Sequence, residues 1–459
     1  MNRPTPHPES ELIALCQRPV APEALFRARL NLMDWLGCIT AARRAPVARA
    51  MARTLSIAEP DLLHAGLLSA NLSAQDAALA LGTLGNVLEM DDLHRASILH
   101  AGDVICAAAL AVAVRRQASG AALLSALTHG YEAAIRIGTA AAAGGYTPFY
   151  NSGTCGVFGA AIACADLMEL DADGMADALG QAGMQAAGIW QCRLEPTFSK
   201  QLATAHAARA GVFSAQLAAA GFPGARAILS GPMGFFAGYY PNADRAALTA
   251  PHDWAILDIS FKPYPACRHT HPAISAMVSL RGKTGLDAVR RIDVHTYRAA
   301  IDFCDQPRPE TADAARFSLQ HAVAVSGLKG APAIADFDGR ALLDGPTVAL
   351  RGKVHLHVDD AIDAAFPGDY GARVSVTLQD GTLRQAMCPA AWGDPENPMS
   401  DDDLIAKFRT NATHGGIALQ AVDRLVEALM NLTHTDDLVA LQAALTHAFS
   451  LDAEFAPCR

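Results

Sequence analysis

Between Ser10 and about Ala250 the chain is one succession of Ala/Leu-rich stretches whose apolar residues recur with helical spacing. The stretches fall at residues 22–41, 74–88, 104–116, 121–143, 156–167, 172–188 and 204–220, each cut by Gly, Pro or Asn. Nothing in this half alternates for long as a strand does. Alanine and glycine let helix backbones approach closely, and G-T-C-G-V-F-G-A-A from Gly153 to Ala161 marks such a contact. The expectation is an all-helical domain. At 459 residues, 51% of them hydrophobic, the chain exceeds one ordinary core, so two or three domains are expected.

The pattern changes near Pro263. Period-two alternation runs from Asp287 through V-R-R-I-D-V-H-T-Y, again over residues 351–359, and again over 372–386, where Asp380-Gly381 separates two strand-like runs as a hairpin turn does. Helical patterns lie between them at 272–283 and 312–328. After residues 393–400 the chain returns to helix at 401–409 and 415–430, with Ser400 or Asp401 as N-cap. The fold class read from this is mainly α: a large, discontinuous helical domain (1–262 and 398–459) and a smaller α+β domain (263–397).

The formal charge of −10 is spread along the chain without a basic block, so nucleic acid is not expected as a partner, and any anion site must come from a few local cations. Ten cysteines are scattered with no C-x-x-C, as buried thiols of a reducing compartment are. The first residues lack the apolar core of a signal peptide and no later segment is apolar over the length of a membrane span, so a cytoplasmic protein with no membrane partner is expected.

Against this apolar background the stretch from Asn86 to Val104 stands out, with Glu89, Asp91, Asp92, Asp103, His94 and His100 between two apolar helices. Partial desolvation next to close neighbours moves pKa values into a working range. The bland alternatives are a solvated loop with an Asp helix cap and a satisfied core histidine.

Four more polar islands follow. Tyr146 to Gly156 holds Tyr150 and Asn151 ahead of a glycine-rich helix start, where free N–H groups suit a carboxylate, or is only a surface turn. Lys200 leads into an apolar helix, where an isolated lysine usually just reaches for solvent. Phe261 to Pro272 concentrates Lys262, Arg268, His269 and His271 among three prolines, a stiff cationic stretch suited to gripping carboxylates. His321 sits on an otherwise apolar helix, where a core role is the simpler reading. His-x-His raises zinc, but no third ligand stands at finger-like spacing, so no metal is expected. Dinucleotide, Walker A, nucleophile-elbow and zinc-protease motifs are absent, which leaves an inventory for proton transfer beside a carboxylate.

These islands, in this order, resemble the MmgE/PrpD family. The pieces are D-D…H at Asp91 to His100, the run from Gly153, Lys200 before a helix, G-F-P-G…I-L-S-G-P-M-G-F-F from Gly221 to Phe236, F-K-P-Y-P-A-C-R-H-T-H from Phe261, and A-R-F-S-L-Q at Ala315 to Gln320. The resemblance implies a helical domain and a smaller α+β domain with the active site between them, a homodimer, and no cofactor or metal. It places Asp91, His100, Lys200 and Lys262 on polar active-site positions of the decarboxylase and dehydratase branch. Two positions depart: Tyr150-Asn151 stands where that branch often has His-Pro, and His321 where it often has Tyr. The D-D-L-H-R-A-S-I-L-H wording and Tyr150 look more like the iminodisuccinate epimerase side.

The expected function is cofactor-independent removal of a proton α to a carboxylate of a small di- or tricarboxylic acid. Epimerisation is placed first, with dehydration or decarboxylation as the alternative. Lys200 and Tyr150 are the expected proton carriers, with Asp91 and His100 tuning them or acting as the acid. Arg268, Lys262, His269, His94 and His321 are the expected substrate contacts. Rival classes are a non-catalytic carboxylate-binding protein and, more remotely, a metal hydrolase using Asp91, Asp92, His94 and His100.

Overall fold

A computed structural model describes residues 7–57, 61–195, 197–281 and 288–450. The chain folds into two compact units. Unit 1 contains the chain up to Val87, Asp91–Ile259 and everything from Ser400 on; unit 2 contains Leu88–Met90 and Ser260–Met399. The chain therefore leaves unit 1 for three residues in the middle of the acidic stretch, which the sequence-based boundaries 262/263 and 397/398 do not anticipate.

Unit 1 is helical. Its main elements are α1 (Pro22–Ala42), α2 (Ala74–Gly82), α3 (Ala101–Arg116), α4 (Gly120–Ala142), α5 (Gly156–Leu167) and α6 (Ser199–Ala219), joined by α9 (Asp401–His414) and α10 (Leu419–Met430) from the end of the chain. Helices α3, α4, α5 and α6 pack on one another through alanine and glycine. The tightest point is Gly130 of α4 against Gly159 of α5: a Cβ on Gly159 would stand 2.5 Å from the Gly130 carbonyl oxygen, so neither position admits a side chain. Helix α9 opens with a capping box, Ser400 Oγ accepting from the Asp403 amide and Asp403 Oδ2 from that of Ser400. It packs on α1, where Lys407 meets the buried Asp34 at 2.6 Å. Burial still pushes the Asp34 carboxyl up to about 6, because desolvation outweighs the Lys407 charge. Among the described residues no helix is long and apolar enough to cross a membrane.

Unit 2 is a four-stranded sheet with helices. The strands are β1 (Val289–Thr296), β2 (Val354–Val358), β3 (Ala372–Leu378) and β4 (Leu383–Cys388), in the order β2-β1-β3-β4. The β1–β2 pair is parallel and the other two pairs are antiparallel. The β3–β4 hairpin turns at Gly381, whose φ of +84° is the left-handed geometry that selects glycine. Ile292, Val294, Val374 and Val376 form a core with α7 (His271–Leu280) and α8 (Leu319–Lys329).

Three helical expectations need correction. The pattern over 74–88 ends as helix at Gly82 and continues as turns, while 172–188 stops at Gly183. The single helix expected over 312–328 is two, Ala312–Arg316 and Leu319–Lys329, because the Ser318 hydroxyl accepts from the His321 amide and starts a new helix. The alternation beginning at Asp287 and the helical pattern ending at Lys283 reach outside the described residues.

Candidate active site

The acidic stretch crosses from α2 to α3 as a tight, strained loop. The His94 amide donates to the Leu99 carbonyl at 2.9 Å and the Leu99 amide to the His94 carbonyl at 3.2 Å, with Ile98 forced to φ +53° between them. Glu89 also stands at φ +53°. A left-handed conformation costs a side-chain-bearing residue about 1–2 kcal/mol, most for a β-branched one, and concentrates where geometry matters for function. The loop brings Asp91 and His100 together: Asp91 Oδ2 lies 2.5 Å from His100 Nδ1, with Asp91 fully buried and His100 nearly so. The His100 amide is fixed by Ser152 Oγ at 2.9 Å. A carboxylate accepting from Nδ1–H selects one tautomer and leaves Nε2 as the basic nitrogen, the arrangement of an imidazole used as acid and base.

Asp92, next in the chain, does something else. Its Oδ1 accepts from the Gly102 amide at 2.8 Å, in the first turn of α3, and its Oδ2 from Asn31 Nδ2 of α1 and the Tyr131 hydroxyl of α4, each at 2.7 Å. One fully buried carboxylate thereby ties three helices together. Gly102 is glycine because a Cβ there would press on both Asp92 oxygens and on Tyr131. Burial raises the Asp92 carboxyl, against the pull of its donors.

Asp103, also in the first turn of α3, is buried and interacts electrostatically with Asp91, Asp92 and Lys200. Burial first, then the two aspartates, hold its carboxyl well above the usual range while Lys200 pulls it down. Lys200 thus acts electrostatically on Asp103. Tyr150 is fully buried; its ring stands edge-on to His100 with centroids 6.5 Å apart and lies 4.4 Å from Trp190. Its neighbour Asn151 donates to the Ser97 carbonyl and accepts from the Tyr240 hydroxyl, so the Tyr146–Gly156 island braces the 94–99 loop.

His94 closes a local turn, accepting at Nδ1 from the Ser97 amide at 3.2 Å with Ser97 Oγ at 2.8 Å. Burial pulls it down to about 3, which keeps the ring neutral near pH 7. The sign of its effect on stability follows. Below about 6.5 the unfolded chain takes up a proton that the folded ring refuses until about 3, so its contribution is complete above 6.5 and is lost as pH falls. Between pH 6.5 and 5 the loss from this group is expected to be about 2 kcal/mol. Urea unfolding at the two pH values checks this: His94→Gln should lack that share of the decrease, and an equal decrease in both proteins would refute it.

In unit 2 the Phe261–Pro272 motif divides its cations. Lys262 is fully buried and lies 3.6 Å from Glu89, itself 5% exposed and supplied by the three-residue excursion. Arg268 has partners within unit 2. Its guanidinium pairs with buried Asp394, donates to the carbonyls of Ala391 and Trp392, and meets His271 Nδ1, so it closes the 391–394 loop. His269 holds the Tyr297 hydroxyl at 2.7 Å through Nδ1 and stacks on Tyr370. His321 has Nε2 on the Asp336 carbonyl at 2.8 Å and Nδ1 toward Arg351, the satisfied core histidine that was its simpler reading.

Sequence reasoning missed Asn31 and Tyr131, which reach Asp92 from remote helices, and Trp190, which packs on Tyr150. Their signal was only polar or aromatic character within apolar runs. A cavity of about 440 Å³ lies along the start of α6, lined by Gly188, Ile189, Cys192, Leu202, Ala203 and His206 among others. Its lining excludes Asp91, His100, Tyr150 and Lys200. Among the described residues no group of three or more His, Cys, Asp or Glu is arranged to hold a metal ion.

Comparison with known proteins gives two family matches along the chain. Residues 14–247 match the MmgE/PrpD N-terminal domain and residues 264–432 the MmgE/PrpD C-terminal domain. The cis-aconitate decarboxylase-like protein oryM of Aspergillus oryzae is 25% identical over 92% of this chain and 93% of its own length. Human cis-aconitate decarboxylase is 27% identical over 80% of this chain and 79% of its own. The 2-methylcitrate dehydratase of Cupriavidus necator is 29% identical over 32% of this chain and 33% of its own. With both family models together spanning most of its length, the chain belongs to the MmgE/PrpD family.

Proposed function

We propose that the protein is a lyase acting on a small tricarboxylic acid, using its own side chains to move a proton at the carbon α to a carboxylate. The observation that carries this is the buried Asp91–His100 pair on a strained loop. The substrate class is taken from the relatives, whose names are those of cis-aconitate decarboxylases and a 2-methylcitrate dehydratase. Epimerisation, placed first on sequence, has no counterpart in those names.

His100 Nε2 is the proton carrier in this reading, with Asp91 stabilising the imidazolium that forms. In a decarboxylation the C–C bond to the departing carboxylate breaks, CO2 leaves, and the electron pair left on carbon takes the His100 proton. In a dehydration Nε2 removes the α proton and the β-hydroxyl leaves as water after protonation by Lys200 or Tyr150.

Incubation with cis-aconitate, citrate and 2-methylcitrate tests the proposal. Released CO2 identifies decarboxylation and a new conjugated double bond identifies dehydration. Lys200→Ala is expected to lower kcat by about a hundredfold. Binding without turnover of any tricarboxylate would return the protein to the binding class, and solvent deuterium in an inverted product would restore the epimerase. An unimpaired Lys200→Ala would remove Lys200 from the mechanism.

A further inference from the structure

Two short pieces of unit 1, residues 148–150 and 188–190, lie side by side as an antiparallel ribbon. The Tyr150 amide donates to the Gly188 carbonyl at 3.1 Å and the Trp190 amide to the Pro148 carbonyl at 2.8 Å, with Phe149 and Ile189 paired between them. The approach is close. A Cβ on Gly153 would stand 2.3 Å from the Ala187 carbonyl oxygen, and Gly188 takes φ +133°. Backbone hydrogen bonds therefore fix where Trp190 sits relative to Tyr150.

Their rings meet with centroids 4.4 Å apart and planes inclined at 48°. The Tyr146 ring meets the same indole edge-on at 6.4 Å. Tyr146 and Trp190 are partly exposed, whereas Tyr150 is fully buried and stands edge-on to His100 at 6.5 Å. Aromatic rings thus lead from the surface at Tyr146 through Trp190 and Tyr150 to the Asp91–His100 pair. Of residues 188–192, Trp190 alone does not line the 440 Å³ cavity, so its indole is committed to Tyr150. A phenol transfers a proton efficiently only when its oxygen is held in place, and a misplacement of roughly 1 Å can cost about a hundredfold in rate.

We propose that Trp190 is a positioning residue whose indole holds the Tyr150 ring against His100, making Tyr150 the second proton carrier of the site. The inference rests on the lyase reading above. It uses side chains of unit 1 alone.

Steady-state turnover by the full-length protein tests this, with whichever of cis-aconitate, citrate and 2-methylcitrate the wild type converts. Trp190→Ala should lower kcat about ten- to a hundredfold and leave KM within about threefold, and Trp190→Phe, which keeps a ring, should recover most of the loss. Because Trp190 acts through Tyr150, Trp190→Ala should cost no more than about twofold in a Tyr150→Phe background. Losses that multiply in the double variant, or wild-type activity in Trp190→Ala or Tyr150→Phe, overturn the assignment and leave the lyase reading in place. Acetylation with N-acetylimidazole, read by peptide mass spectrometry, follows the contact without turnover. Tyr150 should be protected in the wild type and modified in Trp190→Ala, and equal protection in both overturns the positioning role. Should the alanine variant fail to fold, Trp190→Leu keeps much of the bulk without the ring and should still lower kcat severalfold. A wild type that converts none of the three acids removes the lyase reading itself, and this inference with it.

Discussion

Asp91→Asn is expected to lower kcat by about 10²–10⁴-fold without lowering the stability of the protein. The carboxylate is 2.5 Å from His100 Nδ1, so amidation changes both what that nitrogen faces and the charge available to an imidazolium. If the amide nitrogen turns toward the ring, Nδ1 becomes an acceptor, the proton moves to Nε2 and the base is lost. If the amide oxygen faces it, the tautomer survives but the imidazolium loses its counter-charge. Amidating an aspartate that orients a catalytic imidazole reaches roughly 10⁴-fold at the upper end. Stability should not suffer, because the Asp91 charge helps hold the Asp103 carboxyl well above its usual range, and removing it relieves that repulsion. Steady-state rates at saturating substrate and denaturant midpoints give the two readouts. A variant retaining activity within about tenfold would dismiss the dyad as the acid–base centre.

The same contrast shows how much was legible beforehand. Helical periodicity located the long helices of unit 1 but not all of their ends, because an Ala/Leu face buried against other helices leaves a clear repeat. The Asp380-Gly381 turn located the β3–β4 hairpin. Asp91 and His100 were legible because polar groups inside an apolar run need a reason. What each polar group does was not legible, because its partner lies elsewhere in the chain. Asp92 answers to Asn31, 61 residues earlier, and Tyr131, 39 later. Arg268 answers to Asp394, on a loop far along the chain. Ser318 split a helix through a hydroxyl cap that an apolar repeat does not register. The assignment of Glu89 to unit 2, two residues before Asp91 of unit 1, is a property of the folded chain alone.

Asp92→Ala should do the reverse of Asp91→Asn, costing stability directly and activity only through it. The substitution leaves the Gly102 amide, the Asn31 amide group and the Tyr131 hydroxyl facing a void at the meeting point of α1, α3 and α4. Each orphaned buried donor costs roughly 1–3 kcal/mol, against which stands the relief of desolvating a charge, so a net loss of about 3–5 kcal/mol is expected. Denaturant unfolding should show an earlier midpoint, and the Gly102 amide should exchange with solvent faster than its neighbours in α3. The physical cause can be isolated by removing a donor along with the acceptor. Combining Asp92→Ala with Tyr131→Phe should cost clearly less than the sum of the two single changes, since the phenylalanine no longer buries an unpaired hydroxyl. Additive losses would mean that Asp92 stabilises unit 1 by filling space, and that the three-helix hydrogen-bond junction has no energetic weight of its own.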